Sequence, residues 1–227
     1  ESPYINSAKF NYGAYQFEKK QYTQALRTFA EVDGTHLSVD DRIKLQYQSG
    51  YSHLMAENLD QAAKEFDAIR DVNNLYSKPA TYYWAHIMYL QDNYQAALDG
   101  FTNLNNDPAY SRFIPLYVSH IYYKQEKYRD AVDYTTSIID DVEEENKTEL
   151  SKIIGDSYLH LGEYTNAIPY LETYFDSPGL KTREENYILA YCYYNSGDYA
   201  KATPLFENAI KGKDELAQNA YYHLADC

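Results

Sequence analysis

Apolar positions recur along this chain with two nested periods. The short period is helical: Tyr187, Ala190, Tyr191 and Tyr194 follow at spacings of three and four, as do Ala202, Leu205, Phe206 and Ala209. That spacing lines one face of an α-helix. Between the two runs lies Asn195-Ser196-Gly197-Asp198, a polar break suited to a tight turn, and Gly162-Glu163 and Asp92-Asn93 hold the same place in earlier segments. The pattern predicts helices in antiparallel pairs, an all-α fold.

The long period emerges from the block Tyr22, Ala25, Phe29: an aromatic, alanine three residues on, then a ring four further. It returns as Leu59, Ala62, Phe66; Tyr94, Ala97, Phe101; Tyr128, Ala131, Thr135; Tyr164, Ala167, Leu171; and Tyr199, Ala202, Phe206. The alanine does not vary. Twelve residues before each alanine stands a small residue: Gly13, Gly50, Ala85, Ser119, Gly155, Ala190, with Ala225 following as a seventh. Successive separations are 37, 35, 34, 36, 35 and 35. A small residue there lets two helices approach closely.

These residues resemble the tetratricopeptide repeat, whose period of about 34 carries small residues at position 8, alanine at 20 and a large apolar side chain at 24. The resemblance runs from about Asn6 to Cys227 and implies a single domain over 1-227, an α-α superhelix of antiparallel pairs stacked as a right-handed solenoid. Repeats are expected at about 6-39, 43-76, 78-111, 112-145, 148-181 and 183-216, with a partial one at 218-227. Departures lie at position 4, often Trp in the family but here Lys9, Gln46, Thr81, Pro115, Ser151 and Asn186. The family's late proline occurs only as Pro108 and Pro178, one residue early. Pro169 and Pro204 share a frame position expected in the first turn of the second helix, where a missing N–H is tolerated. The segment 33-41 is expected to be the longest inter-repeat connection, with Ser38 or Asp41 capping the next helix. Because the seventh repeat stops within its first helix and arrays usually end on a polar cap, a longer parent protein is expected.

Charge narrows the partners. Lys+Arg is 20 and Asp+Glu 34, a formal net charge of −14, which repels nucleic-acid backbones and anionic membranes and favours a cationic partner segment. No apolar run approaches bilayer-spanning length. The two cysteines, Cys192 and Cys227, make neither a disulfide framework nor a zinc site, and both fall at position 10, a small slot expected to be buried. The composition is unusual in its 28 Tyr.

In the resembling family, positions 2, 5, 6, 9, 12 and 13 of the first helices line a concave groove. Carried over, the resemblance implies a groove built from Tyr47, Tyr51, Tyr82, Tyr83, His86, Tyr89, Tyr117, His120, Tyr123, Lys124, Tyr187, Tyr191 and Tyr194. Tyrosine joins a rigid apolar face to a hydrogen-bonding tip, which suits a binding surface. The competing role for these rings is packing between neighbouring helices. The family's carboxylate clamp, Lys at position 5 with Asn at position 9, has no counterpart: those positions hold Phe10/Ala14, Tyr47/Tyr51, Tyr82/His86, Leu116/His120, Lys152/Asp156 and Tyr187/Tyr191. His86 and His120 share a frame position but lack further metal ligands nearby in sequence, so polar groove histidines are expected. The run Asp140-Asp141-Val142-Glu143-Glu144-Glu145 lacks a calcium loop's glycine and spacing and reads as a solvated junction. Asn146-Lys147-Thr148 matches the short glycosylation sequon.

No phosphate-binding glycine loop, zinc-protease helix or nucleophile elbow occurs, so no catalytic residue, metal or cofactor is predicted. The expected function is a protein-interaction scaffold that takes a peptide or protein segment, basic or apolar, on a Tyr-rich acidic concave groove. The alternative is a regulatory or substrate-recruiting module of a larger enzyme or signalling protein. Helical repeats that read RNA need a basic groove, which the charge opposes. The Tyr- and Asn-rich acidic composition resembles helical-repeat proteins of the bacterial periplasm and cell envelope more than cytoplasmic ones.

Overall fold

The computed structural model describes residues 3–227. Among them are thirteen α-helices and no strand: α1 Pro3–Glu18, α2 Tyr22–Phe29, α3 Val39–Met55, α4 Leu59–Arg70, α5 Ser77–Leu90, α6 Tyr94–Thr102, α7 Ile114–Lys124, α8 Tyr128–Ile138, α9 Glu144–His160, α10 Tyr164–Asp176, α11 Arg183–Asn195, α12 Tyr199–Ala209 and α13 Glu215–Asp226. Helices α1 to α12 form six successive hairpins, each of a first and a second helix, and α13 follows as a further first helix. The all-α helical-repeat reading therefore holds. The chain gathers into two compact units, one ending at Ile114 and one starting at Pro115.

Within each hairpin the core follows the repeat. All six frame alanines, Ala25, Ala62, Ala97, Ala131, Ala167 and Ala202, are fully buried, and the position-24 side chains Phe66, Phe101, Leu171 and Phe206 are buried beside them. Phe66 and Leu171 close over the position-8 glycines Gly50 and Gly155, as Phe29 closes over Gly13. At Gly155 a Cβ would lie 2.6 Å from Leu171 Cγ, so no larger residue fits without displacing the second helix. The fourth hairpin meets the same requirement by different chemistry. There the buried Thr135 hydroxyl donates to the Ser119 hydroxyl at 2.8 Å, replacing a ring-on-glycine contact with a satisfied polar pair.

One turn geometry closes every hairpin. The residue at frame position 15 is left-handed in all six: Lys20 (φ 59°), Glu57 (60°), Asp92 (58°), Glu126 (58°), Gly162 (73°) and Gly197 (81°). In each, its N–H and that of the next residue reach back to carbonyls of the helix just ended. Examples are Lys20 N to Phe17 O at 2.8 Å and Gln21 N to Gln16 O at 2.9 Å. This double bond-back satisfies helix C-terminal carbonyls and turns the chain. Four of the six positions accept a side chain at left-handed φ, at a cost of about 1–2 kcal/mol each.

Three expectations are corrected. Pro169 and Pro204 lie at the sixth residue of α10 and α12, because those helices start at Tyr164 and Tyr199. Each proline thus forgoes the bond that an N–H would give to the carbonyl of Thr165 or Ala200. The longest connection is 103–113, not 33–41. The segment Val39–Asp41 is already helical, capped by Ser38, whose side chain accepts from Asp41 N at 3.1 Å. In 103–113 successive turns such as Ser111 N to Asp107 O at 2.8 Å replace the start of a first helix. Helix α7 begins only at Ile114, with Pro115 in its first turn, where the ring is tolerated. Third, Cys192 is fully buried but Cys227 is exposed, since no second helix covers that side of α13 among the described residues. Burial pushes the Cys192 thiol up to about 12. A thiol reagent at neutral pH is expected to modify Cys227 quickly and Cys192 only on unfolding, read as a second equivalent released by denaturant. Equal rates for the two thiols in native protein would contradict the packing around α11.

Candidate interaction face

The sequence-derived positions all lie on first helices. Twelve of the thirteen candidates are half-buried, and Lys124 is exposed. Their environments differ, however, by frame position.

Position-5 tyrosines pack on the position-24 ring of their own hairpin. Ring centroids are 6.0 Å apart for Tyr47 and Phe66, 6.2 Å for Tyr82 and Phe101, and 5.6 Å for Tyr187 and Phe206. Position-12 tyrosines meet the position-17 ring across the turn: Tyr89 with Tyr94 at 6.2 Å, Tyr123 with Tyr128 at 5.7 Å and Tyr194 with Tyr199 at 5.7 Å. Such edge and tilted contacts add about 0.5–1.5 kcal/mol apiece beyond burial. These rings therefore fasten hairpins as well as face outward.

In the first unit the face is a continuous aromatic sheet. Tyr83 touches Tyr51 at 5.2 Å and stacks on Phe66 at 5.5 Å, Tyr51 meets Phe17 and Tyr22, and Tyr82 stacks on Tyr110 at 5.3 Å. Burial pushes the Tyr83 hydroxyl up to about 12 and raises Tyr47 further, so both stay neutral donors. The His86 ring lies parallel to Tyr82, and burial lowers its pKa, favouring the neutral imidazole. Phe17, Tyr22 and Tyr110 were not among the sequence candidates. Tyr22 is a position-17 residue, and Tyr110 lies in the unwound 103–113 segment, so neither carries a groove-position signal.

The second unit replaces that sheet with charge on α7 and α9. His120 Nε2 lies 3.3 Å from Glu149 Oε1, and that hydrogen bond is the main reason the Glu149 carboxyl is held below its usual range. Lys152 Nζ donates to Glu185 Oε1 at 2.6 Å, and the Tyr174 hydroxyl donates to the same oxygen at 2.6 Å. Glu185 Oε2 accepts from Thr182 N at 2.8 Å, completing a capping box that starts α11. Burial alone would raise the Glu185 carboxyl; the bonds from Lys152, Tyr174 and Thr182 outweigh it and hold it at about 2. Asp156, one turn after Lys152, has no such support: burial pushes it up to about 6. Lys152 and Asp156 form the one pair of opposite charges at positions 5 and 9 in the array, the signal by which sequence could have singled them out. Beyond them α11 returns to rings, with Tyr187, Tyr191 and Tyr194 gathered around His223 of α13. Among the described residues no group of three or more His, Cys, Asp or Glu could hold a metal ion, and no helix is long and apolar enough to cross a membrane. The acidic run ends as expected, with Asp140, Asp141, Glu143, Glu144 and Glu145 exposed at the start of α9.

No protein-family model and no curated protein sequence matches the chain. Solved structures do match its fold. MamA (AMB-1) superposes with a TM-score of 0.63 at 17% identity, over 79% of this chain and 98% of that one. PilF of Pseudomonas aeruginosa gives 0.63 at 12% identity, over 96% of each. A tetratricopeptide repeat protein from Parabacteroides merdae gives 0.53 at 15% identity, over 99% of this chain and 85% of that one. At such identities the likeness is one of fold: a tetratricopeptide-like helical repeat.

Proposed function

We propose that this helical-repeat chain is a non-catalytic interaction scaffold, and that the first-helix face receives a protein or peptide segment. The observation that carries this reading is the half-exposure of the candidate side chains in both units. Tyrosines already fixed by neighbouring rings lose little conformational freedom on binding, which leaves more of the contact energy for affinity. The surface, at −14 overall, favours a segment with basic residues set among apolar ones. The Tyr- and Asn-rich acidic composition further supports a place in a bacterial cell envelope, which fractionation of the source cell would test.

The experiment is a comparative pull-down from source-cell lysate. Wild type is set beside Tyr82/Tyr83/Tyr117/Tyr123→Ala and the matching fourfold Tyr→Phe variant, all first checked for equal helicity. The Phe variant keeps the ring packing and removes only hydroxyls. Loss of a shared partner by the folded Ala variant, with at least partial retention by the Phe variant, is expected. Retention by the Ala variant would move the binding surface elsewhere.

A further inference from the structure

In the middle of α9, Glu149 and Lys152 have partners and Asp156 does not. Asp156 Oδ1 is closed off from solvent and receives no hydrogen bond. The groups facing Asp156 come from three helices: Glu149 and Lys152 on its own, Tyr123 on α7, and Glu185 and Cys192 on α11. Lys152 is the one cation among them, and its ammonium is on Glu185 at 2.6 Å. Glu149 is occupied by His120. Tyr123 lends no donor bond to the carboxyl, and its own hydroxyl is pushed up by burial first and by Asp156 next.

The local balance is therefore two-signed but unequal. Three carboxylates, Glu149, Asp156 and Glu185, stand against Lys152 and the His120 imidazole. A carboxylate left without a donor in a partly desolvated place is costly, and the cost is removed by whatever brings a donor to it. Asp156 is half-buried as a residue and Oδ1 is its closed-off oxygen, so an incoming donor meets the carboxylate at Oδ2, and the 47% exposed side chain of Glu149 lies on the same helix two turns earlier.

We propose that this place receives one basic side chain, Lys or Arg, of the bound segment, with Asp156 as its primary acceptor and Glu149 as its outer one. The proposal rests on the scaffold reading above and gives it a chemical requirement. A guanidinium or ammonium supplies both the missing donor and the missing positive charge; a neutral donor supplies only the first. A proton competes for the same oxygen, so binding of such a segment strengthens as pH rises through about 6. The Tyr123 ring beside Asp156 suits the aliphatic stem of such a side chain.

The test uses a phage-displayed library of random peptides selected on the whole chain at pH 7.5. Enriched peptides are made synthetically and measured by fluorescence anisotropy against wild type, Asp156→Asn and Glu149→Gln. Each is compared with a version whose basic residue is replaced by norleucine. Wild type is expected to select peptides sharing one Lys or Arg, and norleucine to weaken them roughly 10- to 100-fold. In Asp156→Asn the same exchange should change affinity less than about 3-fold, and Glu149→Gln should give an intermediate value. Peptides with no shared basic residue, or an equal norleucine effect in all three proteins, would overturn this assignment while leaving the scaffold reading intact. If wild type enriches nothing, or if the folded Tyr82/Tyr83/Tyr117/Tyr123→Ala variant binds the same peptides unchanged, both fall together.

Discussion

Truncation of Phe66 to alanine is expected to lower unfolding stability by about 3–5 kcal/mol. The ring is fully buried, packs beside Tyr47 and Tyr83, and closes over Gly50, where an added Cβ would already lie 3.0 Å from it. Nothing nearby can collapse into the space, because the opposing helix presents a glycine and the flanking rings are held by their own partners. The loss should also be local. Repeat arrays transmit stability mainly between neighbours, and Phe66 belongs to a core with Ile43, Ala62, Ile69, Ala80 and Ile87 in the first unit. Trp84, the only tryptophan, packs against that same core and reports it alone. In a urea titration the Trp84 fluorescence midpoint should fall well below the midpoint for the remaining helical signal. A shift under about 1 kcal/mol, or one shared equally by both signals, would refute the packing described for this hairpin.

The second large effect is a pair of opposite pH dependences from two carboxylates on one face. The Glu185 carboxyl is held at about 2 in the folded chain against an ordinary 4.5. Its contribution is therefore fully present above pH 4.5 and lost as pH falls toward 2. Glu185→Gln should destabilise the protein at pH 7 by about 1–3 kcal/mol, after allowance for solvent screening, because Lys152 loses its counter-charge and one of the two oxygens that accept from Lys152, Tyr174 and Thr182 N becomes a donor. Asp156 runs the other way. Its folded value of about 6 lies above the ordinary 3.8, so the folded state holds the proton more tightly than the unfolded one. Stability from this group is present below about pH 4 and declines as pH rises to about 6. Asp156→Asn is then expected to be the more stable protein at pH 7, by up to about 2–3 kcal/mol, with the advantage gone below pH 4. Thermal melts across pH 3–8 check both. Parallel curves for the two variants would show that the carboxylates share one environment, against the geometry.

The difference between these two residues also shows where sequence reading runs out. The alanine and small-residue registers were legible because each repeat states them again, and the turns were legible where Gly162 or Gly197 marks them. The left-handed conformation of Lys20, Glu57, Asp92 and Glu126 was not, since nothing in those side chains demands it; the capping bonds around them do. The candidate aromatic positions fall on first helices, but the division of labour among them depends on rings 19 residues away, as between Tyr47 and Phe66, or across a turn. Asp156 was visible as a frame position and invisible as an unpaired group. Its isolation follows from Lys152 choosing Glu185, a choice made 33 residues along the chain by the capping of another helix.

The recurring left-handed reversal has a consequence for how such a chain can change. Each reversal is closed by hydrogen bonds that reach back five residues or fewer, so the direction of every hairpin is decided within itself. Folding rate follows the sequence distance between contacting groups, and a hairpin so closed keeps those distances short whatever the length of the array. A duplication or deletion of one whole period therefore inserts or removes a self-sufficient piece, and the ancestry of an array like this one can run through changes of repeat number that would ruin a fold built on distant strand pairings.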